Sequence, residues 1–268
     1  MDLIFKSLLW AAAAYILIIA ALYLFQRNLI YFPERSKPDI AKSGVSGMME
    51  FSVVTGDGIN LTGWYMPARP GKPTIALFHG NAQNHAYRTY KSLEYIKAGY
   101  GVLLAGYRGY GGNEGKASEQ GFYSDARAYL AQLKTLHISD KNLIIYGESI
   151  GSGVAVQMAS EYPETKALVL ESPYTSTVDV GAKQFFFAPV RLMMKDRYES
   201  IKKIKGFKGK TIVVHGRADK IIPFNFGQQL YEAANSPKKM IVYENAGHND
   251  LYQYGAAADI LAALGEAK

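Results

Sequence analysis

The chain has 268 residues, 49% of them hydrophobic and 20% charged, and its formal net charge at pH 7 is +7. This length fits one large domain with a short extension and excludes a second catalytic domain. The sequence contains no cysteine, which excludes disulfides, thiolate metal sites and a cysteine nucleophile. The positive charge is scattered and comes with no zinc, helix-turn-helix or RNA-binding signature, so we expect a membrane, not nucleic acid, as the partner.

The amino terminus carries an uncharged apolar run over residues 7–25. At the rise of an α-helix this run covers about 28 Å, close to the hydrocarbon thickness of a bilayer. We therefore predict one transmembrane helix, with residues 1–28 as a separable anchor and residues 29–49 as a juxtamembrane linker. A cleaved signal peptide is the alternative, but Ala20 and Ala21 continue into apolar residues instead of a polar mature start. A separable anchor also predicts that the remaining domain stays active without it.

Two strand patterns follow the linker, at residues 51–55 and 59–65, and flank Gly56-Asp57-Gly58. This spacing predicts a hairpin and an antiparallel start to the sheet. Apolar strands then alternate with helical stretches, which predicts an α/β fold with a mainly parallel sheet flanked by helices. The predicted helical stretches are residues 85–98, 118–136, 150–161, 226–234 and 250–264.

A candidate oxyanion hole comes from the loop after an early strand. The run 74–78 is typical of a buried strand, and His79-Gly80-Asn81-Ala82 follows where a loop can donate a backbone N–H. We predict the N–H groups of Asn81 and Ile150 as the two donors. Loss of one such donor typically lowers the rate about a hundredfold to a thousandfold.

The segment Gly147-Glu148-Ser149-Ile150-Gly151 follows an apolar strand and leads into a helical stretch. A strand that turns sharply into a helix at a serine exposes the hydroxyl, and the two glycines remove Cβ atoms that would collide. The free N–H groups of the helix start also favour negative charge developing beside that serine. The pattern predicts a nucleophile elbow with Ser149 at its apex.

An acid and a base follow in the order that this nucleophile needs. Asp219 comes after an apolar strand near Val213-Val214, and His248 comes after the strand at residues 240–243. Because the carboxyl ends of parallel strands share one sheet edge, these residues can converge on Ser149. Histidine takes the proton of the serine, and the carboxylate orients the histidine and stabilises the imidazolium. Glu171, at the end of another strand, is the alternative acid.

These motifs together resemble a single-pass, membrane-anchored branch of the α/β-hydrolase family, a serine hydrolase or serine aminopeptidase-like group, over roughly residues 50–265. The motifs that carry the resemblance are His79-Gly80-Asn81, Tyr107-Arg108-Gly109-Tyr110-Gly111, the elbow, Glu171-Ser172-Pro173-Tyr174 and His215-Gly216-Arg217-Ala218-Asp219. The resemblance implies an eight-stranded sheet in residues 50–268 and serine hydrolysis of carboxylic esters, thioesters or, less often, amides. It implies no cofactor and no metal. Two departures from the family pattern are Gly106, where aspartate is common, and Asn113, where serine is usual.

The side of the membrane stays open at this point. The basic residues after the apolar run, among them Arg27 and Arg35, outnumber Lys6 and the terminal amine before it, which favours a cytoplasmic domain. In the resembling proteins a short leader more often stays inside, which places the domain outside.

A segment of about forty residues, roughly 173–209, interrupts the strand–helix alternation where this fold usually grows a cap. It holds a cluster of large apolar side chains that either packs the cap onto the domain or forms an acyl-binding wall. These predicted pocket residues are Phe185, Phe186, Phe187, Leu192, Met193 and Met194.

The remaining histidines and the arginine motif have structural interpretations. His79 and His215 follow strands and precede glycines, so we expect them to bond to loops, whereas His85 and His137 are predicted as surface or helix residues. Arg108 is expected to pair inside the fold.

Together the residues indicate a membrane-anchored serine hydrolase that cleaves an ester or thioester of a small-molecule or lipid acyl substrate through an acyl-enzyme. An amidase or peptidase of the same fold is one alternative. The other is a membrane-anchored binding protein without catalysis that uses the cap for docking. Protein partners stay open.

Overall fold

The structure is a computed structural model that describes residues 2–265. Its strands are β1 (Phe32–Pro33), β2 (Met49–Val54), β3 (Asn60–Met66), β4 (Thr74–Phe78), β5 (Ala82–Gln83), β6 (Gly101–Ala105), β7 (Leu143–Glu148), β8 (Ala167–Glu171), β9 (Lys210–Gly216) and β10 (Lys238–Tyr243). Its α-helices are α1 (Asp2–Ile30), α2 (Thr89–Lys97), α3 (Glu119–Thr135), α4 (Ile150–Glu161), α5 (Thr177–Gln184), α6 (Val190–Met193), α7 (Ser200–Lys203), α8 (Phe224–Ala233) and α9 (Ala256–Leu264).

Eight of these strands form one sheet, in the order β10-β9-β8-β7-β4-β6-β3-β2. The hairpin β2–β3 and the pair β3–β6 are antiparallel, and the other neighbours are parallel. The prediction of a mainly parallel eight-stranded sheet with an antiparallel start is therefore confirmed. Every residue of the central strands β4, β6 and β8 is buried, as expected for a parallel sheet covered by helices on both faces.

Two of the predicted helical stretches are broken by local geometry. Residues 85–98 form a 3-10 turn, His85–Arg88, before α2, and the Asn84 side chain caps that turn by accepting from the Ala86 N–H. Residues 250–264 are divided at Gly255, which adopts a φ of 94° between the 3-10 turn Leu251–Tyr254 and α9. Glycine reaches this left-handed conformation without steric cost, so it ends the first turn.

The connection from β8 to β9, residues 172–209, is the cap segment and contains the short helices α5, α6 and α7. The apolar helix α1 runs beside it. An 18-residue stretch of α1 has a mean hydropathy of 2.4, and with its length the helix could cross a membrane, as a signal sequence also could.

One face of α1 packs on the domain. Ile19, Leu22, Gln26 and Ile30, spaced three or four residues apart as on one helix face, are the residues of α1 that are shielded from solvent. The Gln26 side chain donates to the Met193 carbonyl at 3.3 Å and accepts from the Lys195 N–H at 2.7 Å. The last turns of α1 are therefore part of the domain packing.

Further polar contacts join α1 and the chain after it to the cap segment. Arg27 forms a salt bridge of 2.8 Å with Asp196, whose side chain is buried, and the hydroxyls of Tyr31 and Tyr198 lie 3.0 Å apart. Removal of residues 1–28 would break the Gln26 and Arg27 contacts. Activity of the domain without this anchor stays a prediction, and we expect the loss of these contacts to lower the stability of the cap segment.

Candidate active site

The turn between β7 and α4 places Ser149 in a strained backbone conformation. Its φ of 52° and ψ of −120° lie where residues other than glycine are rarely found, a strain of about 1–3 kcal/mol. A Cβ at Gly147 would lie 2.4 Å from the Gly151 carbonyl oxygen, and one at Gly151 would lie 2.1 Å from that of Phe78. Only glycine fits at both positions, so the Gly-x-Ser-x-Gly spacing follows from steric exclusion.

Three side chains from the carboxyl edge of the sheet form a continuous chain of hydrogen bonds. Ser149 Oγ lies 3.0 Å from His248 Nε2, and His248 Nδ1 lies 2.7 Å from Asp219 Oδ2. The other oxygen, Asp219 Oδ1, accepts from the N–H groups of Ile221 at 2.8 Å and Ile222 at 2.9 Å. The loop after β9 therefore fixes the carboxylate in the direction of the histidine.

The surroundings of Asp219 keep it ionised. Burial raises the pKa of this carboxyl, but hydrogen bonds from His215 and His248 outweigh the burial and hold the pKa of Asp219 below its ordinary value. His215 Nε2 lies 3.3 Å from Asp219 Oδ2 and 3.0 Å from the Ile222 carbonyl oxygen. The expected loop contact of His215 is present. Its contact with Asp219 is an addition that arises because the loop after β9 turns Asp219 back toward the end of the strand.

The alternative acid, Glu171, is engaged elsewhere. Its Oε1 accepts from Lys91 Nζ at 2.7 Å and its Oε2 from the Tyr146 hydroxyl at 2.5 Å. Lys91 Nζ also donates to Glu148 at 2.7 Å, and Arg88 binds both oxygens of Glu148, at 2.7 and 3.2 Å. We call these four charged residues, Arg88, Lys91, Glu148 and Glu171, the buried ion network.

The buried ion network joins the elbow to its neighbours. Glu148 directly precedes Ser149, and a Cβ at Gly80 would lie 2.9 Å from Glu148 Oε1. Burial raises the pKa of Glu148, but Lys91 and Arg88 outweigh the burial and hold the pKa of Glu148 well below its ordinary value. Two cations and two carboxylates balance, so this network presents no surplus charge to a ligand.

We expect Lys91→Met to lower the free energy of unfolding by about 3–5 kcal/mol, because Glu171 is then buried without its cation. Lys91→Met combined with Glu171→Gln removes both charges and should recover a large part of that loss. Melting temperatures of the two variants in detergent provide the measurement. If the double variant melts no higher than Lys91→Met, the two charges do not stabilise each other.

The predicted oxyanion donors lie at the same cavity as Ser149 and His248. Ile150 is the first residue of α4, so its N–H has no acceptor within the helix. In the part of the chain that the structure describes, no hydrogen bond is donated by the backbone N–H of Asn81. The Asn81 loop is held in place because its carbonyl accepts from the Tyr110 hydroxyl at 2.8 Å and the Phe32 N–H at 2.9 Å.

The cavity beside Ser149 has a volume of about 820 Å³. Ala82 and Ile150 add to its apolar lining, most of which comes from α1, from the chain after it, from the cap segment and from the loop after β9. These apolar residues are Leu22, Leu29, Ile30, Phe32, Val180, Phe185, Ala188, Val190, Met193, Met194, Ile221 and Ile222. Sequence reasoning missed the contribution of α1, because its long apolar run suggests a membrane span and hides the one face, marked by Gln26, that packs on the domain.

The pocket prediction is corrected for half of its residues. Phe185, Met193 and Met194 line the cavity, but Phe186, Phe187 and Leu192 are not among its lining residues. Their exposed fractions are 86%, 46% and 89%. The segment has no periodic pattern that could have separated inward from outward side chains.

The remaining sequence predictions can be placed near this site. Arg108 pairs inside the fold with Asp57 and Asp125, as expected. His79 Nδ1 lies 2.8 Å from the Gly80 carbonyl oxygen, also as expected. His85 is not a surface residue: it is buried in a 3-10 turn, and burial lowers its pKa to about 3, so the imidazole stays neutral.

The two departures from the family pattern, Gly106 and Asn113, lie next to each other against Thr62. The Asn113 side chain accepts from the Thr62 N–H at 2.8 Å and donates to the Thr62 carbonyl at 3.1 Å. A Cβ at Gly106 would lie 2.2 Å from that carbonyl oxygen and 2.8 Å from Asn113 Nδ2. An aspartate at position 106 therefore has no room beside Asn113. Both residues contact the backbone of Thr62 in β3, and neither contact involves Ser149.

Comparison with known proteins gives consistent matches. A family model described as serine aminopeptidase, S33, matches residues 69–197. An uncharacterized protein of Mycobacterium tuberculosis is 40% identical over 228 residues, 84% of this chain and 81% of that protein. The alpha/beta hydrolase domain-containing protein 17B of Homo sapiens is 32% identical over 211 residues, 76% of this chain and 70% of that protein.

Solved structures show the same fold. An esterase of Pyrococcus furiosus superposes with a TM-score of 0.70 at 21% identity, over 88% of this chain and 97% of that one. The esterase of Exiguobacterium antarcticum gives a TM-score of 0.62 at 18% identity, over 81% of this chain and all of that one. At these identities the likeness concerns the fold alone.

Proposed function

Because the chain belongs to the α/β-hydrolase family, we propose that it is a serine hydrolase that cleaves an ester or thioester of an acyl substrate through an acyl-enzyme. One observation carries this proposal: in the hydrogen-bonded series Ser149–His248–Asp219, Ser149 and His248 line a largely apolar cavity. A nucleophile, a base and an ionised acid in this geometry support acyl transfer. The apolar lining supports a substrate with a hydrocarbon chain.

In the proposed reaction Ser149 Oγ attacks the acyl carbon while His248 Nε2 takes the hydroxyl proton. The negative charge that develops on the acyl oxygen is held by the N–H groups of Asn81 and Ile150. His248 then gives the proton to the leaving alcohol or thiol, which departs and leaves the acyl group on Ser149. Water, deprotonated by His248, releases the acid, and Asp219 stabilises the imidazolium in both halves.

The charges around the cavity favour an ester or thioester over an amino-terminal peptide. An aminopeptidase needs a carboxylate to bind the ammonium group of its substrate. Among the described residues that line this cavity, the carboxylates are Glu148 and Glu171, and both are neutralised in the buried ion network. No carboxylate of this lining is left to bind an ammonium group.

We also propose that α1 anchors the protein in a membrane. The helix has the length and mean hydropathy of a membrane span, and most of its surface is apolar and exposed, with Trp10 and Leu17 as examples. A soluble protein rarely leaves so continuous an apolar surface in water.

The substrate class can be tested with p-nitrophenyl esters of increasing chain length and the matching anilides, hydrolysed by the full-length protein in detergent. Met193→Ala should lower kcat/KM for long-chain esters by about tenfold and change the acetyl ester far less, since each buried methylene contributes about 0.8 kcal/mol. Leu136→Ala, at an exposed position outside the cavity, is the control.

Two results would contradict the proposed substrate. If the chain-length profile keeps its shape in Met193→Ala, the cavity does not hold the acyl chain. If the anilides react faster than the esters in the wild type, an amidase replaces the esterase.

A further inference from the structure

The cap segment carries three exposed apolar side chains outside the cavity, Phe186, Phe187 and Leu192, which we call the exposed apolar cluster. Two of these side chains are more than four-fifths exposed. The rings of Phe186 and Phe187 meet edge to face at 5.9 Å, so they form one surface. Water is an unfavourable environment for such a surface, which marks it as a contact site.

The position of this exposed apolar cluster identifies what covers it. The Tyr15 hydroxyl, halfway along α1, donates to the Phe187 carbonyl at 2.9 Å. The cluster is therefore continuous with the apolar surface of α1. Any bilayer that surrounds α1 at Tyr15 also surrounds the cluster.

The depth at which the exposed apolar cluster would lie in a bilayer follows from the residues at the end of α1. Lys195 Nζ lies 4.1 Å from the ring centre of Tyr23, and such pairs of lysine and aromatic side chains are typical of the membrane interface. Tyr15 lies eight residues before Tyr23, about 12 Å farther along the helix into the uncharged run. At that depth a backbone carbonyl needs a partner from the protein, and the Tyr15 hydroxyl supplies one for Phe187.

The basic residue Arg191 is compatible with this placement. Arg191 precedes Leu192 in α6 and reaches Asp179 of α5 at 3.2 Å. A long arginine side chain can extend toward the interface while its neighbour remains in the hydrocarbon. Leu192 is therefore expected at a shallower level than Phe186.

The cavity lies between α1 and the cap segment. Leu22 and Leu29 of α1 line it from one side, and Phe185 and Val190 of the cap segment line it from the other, with Ser149 at the same cavity. A chain held between α1 and the cap segment contacts mostly apolar groups, with Gln26 and Gln184 as polar members of the lining there. A route through water would cost transfer free energy for every methylene of the chain.

We propose that the cap segment inserts into the bilayer beside α1 and that the cavity draws its substrate, an ester or thioester of a bilayer-resident acyl chain, directly from the hydrocarbon. The second half of this proposal rests on the proposed hydrolase function. Insertion of the cap segment does not rest on that function, so insertion and substrate delivery are measured separately.

Insertion can be measured with single spin labels, because the chain contains no cysteine. Labels on Phe186→Cys and Leu192→Cys in the full-length protein are compared in vesicles of phosphatidylcholine and phosphatidylglycerol. Ile16→Cys, on the exposed face of α1, is the membrane reference. Leu136→Cys is the water reference. Leu136 follows the last residue of α3, and this helix runs from the carboxyl edge of the sheet, where the cavity lies, to the opposite edge.

The label at position 186 should collide with oxygen as the label at position 16 does and be shielded from a water-soluble nickel complex. The label at position 192 should be intermediate. If both labels meet the nickel complex as freely as the label at position 136, the cap segment does not insert and the proposal is overturned.

The route is tested with Phe186→Glu and its conservative control Phe186→Leu, both outside the cavity lining. Phe186→Glu should slow hydrolysis of a long-chain ester in the vesicles that hold the protein by at least about tenfold, because a charge is poorly tolerated in hydrocarbon. Hydrolysis of a water-soluble acetyl ester and labelling of Ser149 by a fluorophosphonate should not change. Phe186→Leu should retain both activities.

Equal loss for both esters, or no loss for either, would overturn delivery from the bilayer. Failure of the hydrolase proposal looks different. In that case the wild type neither cleaves the acetyl ester nor reacts with the fluorophosphonate, while the spin-label result still decides insertion.

Discussion

Ser149→Ala is expected to abolish ester hydrolysis and fluorophosphonate labelling while the protein remains folded. Loss of the nucleophile from an intact series of serine, histidine and acid typically lowers kcat by about a millionfold. Alanine keeps the Cβ and the same backbone conformation, so the strained φ of 52° is not changed and stability should be close to that of the wild type. The measurement is kcat with a soluble ester, together with labelling and the melting temperature.

A second serine of the same helix provides the control. Ser160 lies near the other end of α4, where its hydroxyl donates to the Gln157 carbonyl. Ser160→Ala should keep full labelling. Labelling of a folded Ser149→Ala protein at the wild-type rate would remove Ser149 from the mechanism.

Asp219→Asn should lower kcat by about ten-thousandfold and leave labelling of Ser149 slow but detectable. The amide presents an N–H or a neutral oxygen to His248 Nδ1, so it no longer holds the imidazole in the tautomer that accepts the serine proton. It also cannot stabilise the imidazolium, which the ionised Asp219 at 2.7 Å can do. Steady-state kinetics and time courses of labelling measure the two effects.

Glu171→Gln is the matched comparison, since it makes the same chemical change at the alternative acid. Glu171 contacts Lys91 and Tyr146, not His248, so this variant should keep kcat within about an order of magnitude and act mainly on stability. If Glu171→Gln removes activity while Asp219→Asn retains it, the roles of the two carboxylates are reversed.

The parts of the fold that the sequence predicts well are those with a local physical cause. Helix α4 begins at Ile150 and ends at Glu161, as predicted, because the elbow fixes its start and Tyr162-Pro163 disfavours its continuation. The convergence of Ser149, Asp219 and His248 needs only the common edge of a parallel sheet.

The parts that could not be predicted depend on packing between segments distant in sequence. Nothing local indicates that one stripe of α1 faces the domain, although Gln26, the lone polar side chain in that stripe, was a possible signal. In the cap segment Phe185 faces the cavity and Phe186 faces away, a distinction that requires the path of an irregular loop. His85 is buried by neighbours from distant strands, among them Trp64 at 5.1 Å between ring centres.

The contacts that join α1 to the cap segment also determine the order in which this molecule can be completed. Gln26 and Arg27 meet partners that lie 167 to 169 residues later in the chain. At usual rates of synthesis, roughly 10 to 30 seconds separate the emergence of α1 from that of Asp196. The helix that is made first thus receives its last partners late, and the wall of the cavity is complete only when most of the chain exists. A truncated or stalled chain would carry Ser149 on its elbow without an assembled cavity, so the order of synthesis itself delays formation of the candidate active site until the domain is nearly complete.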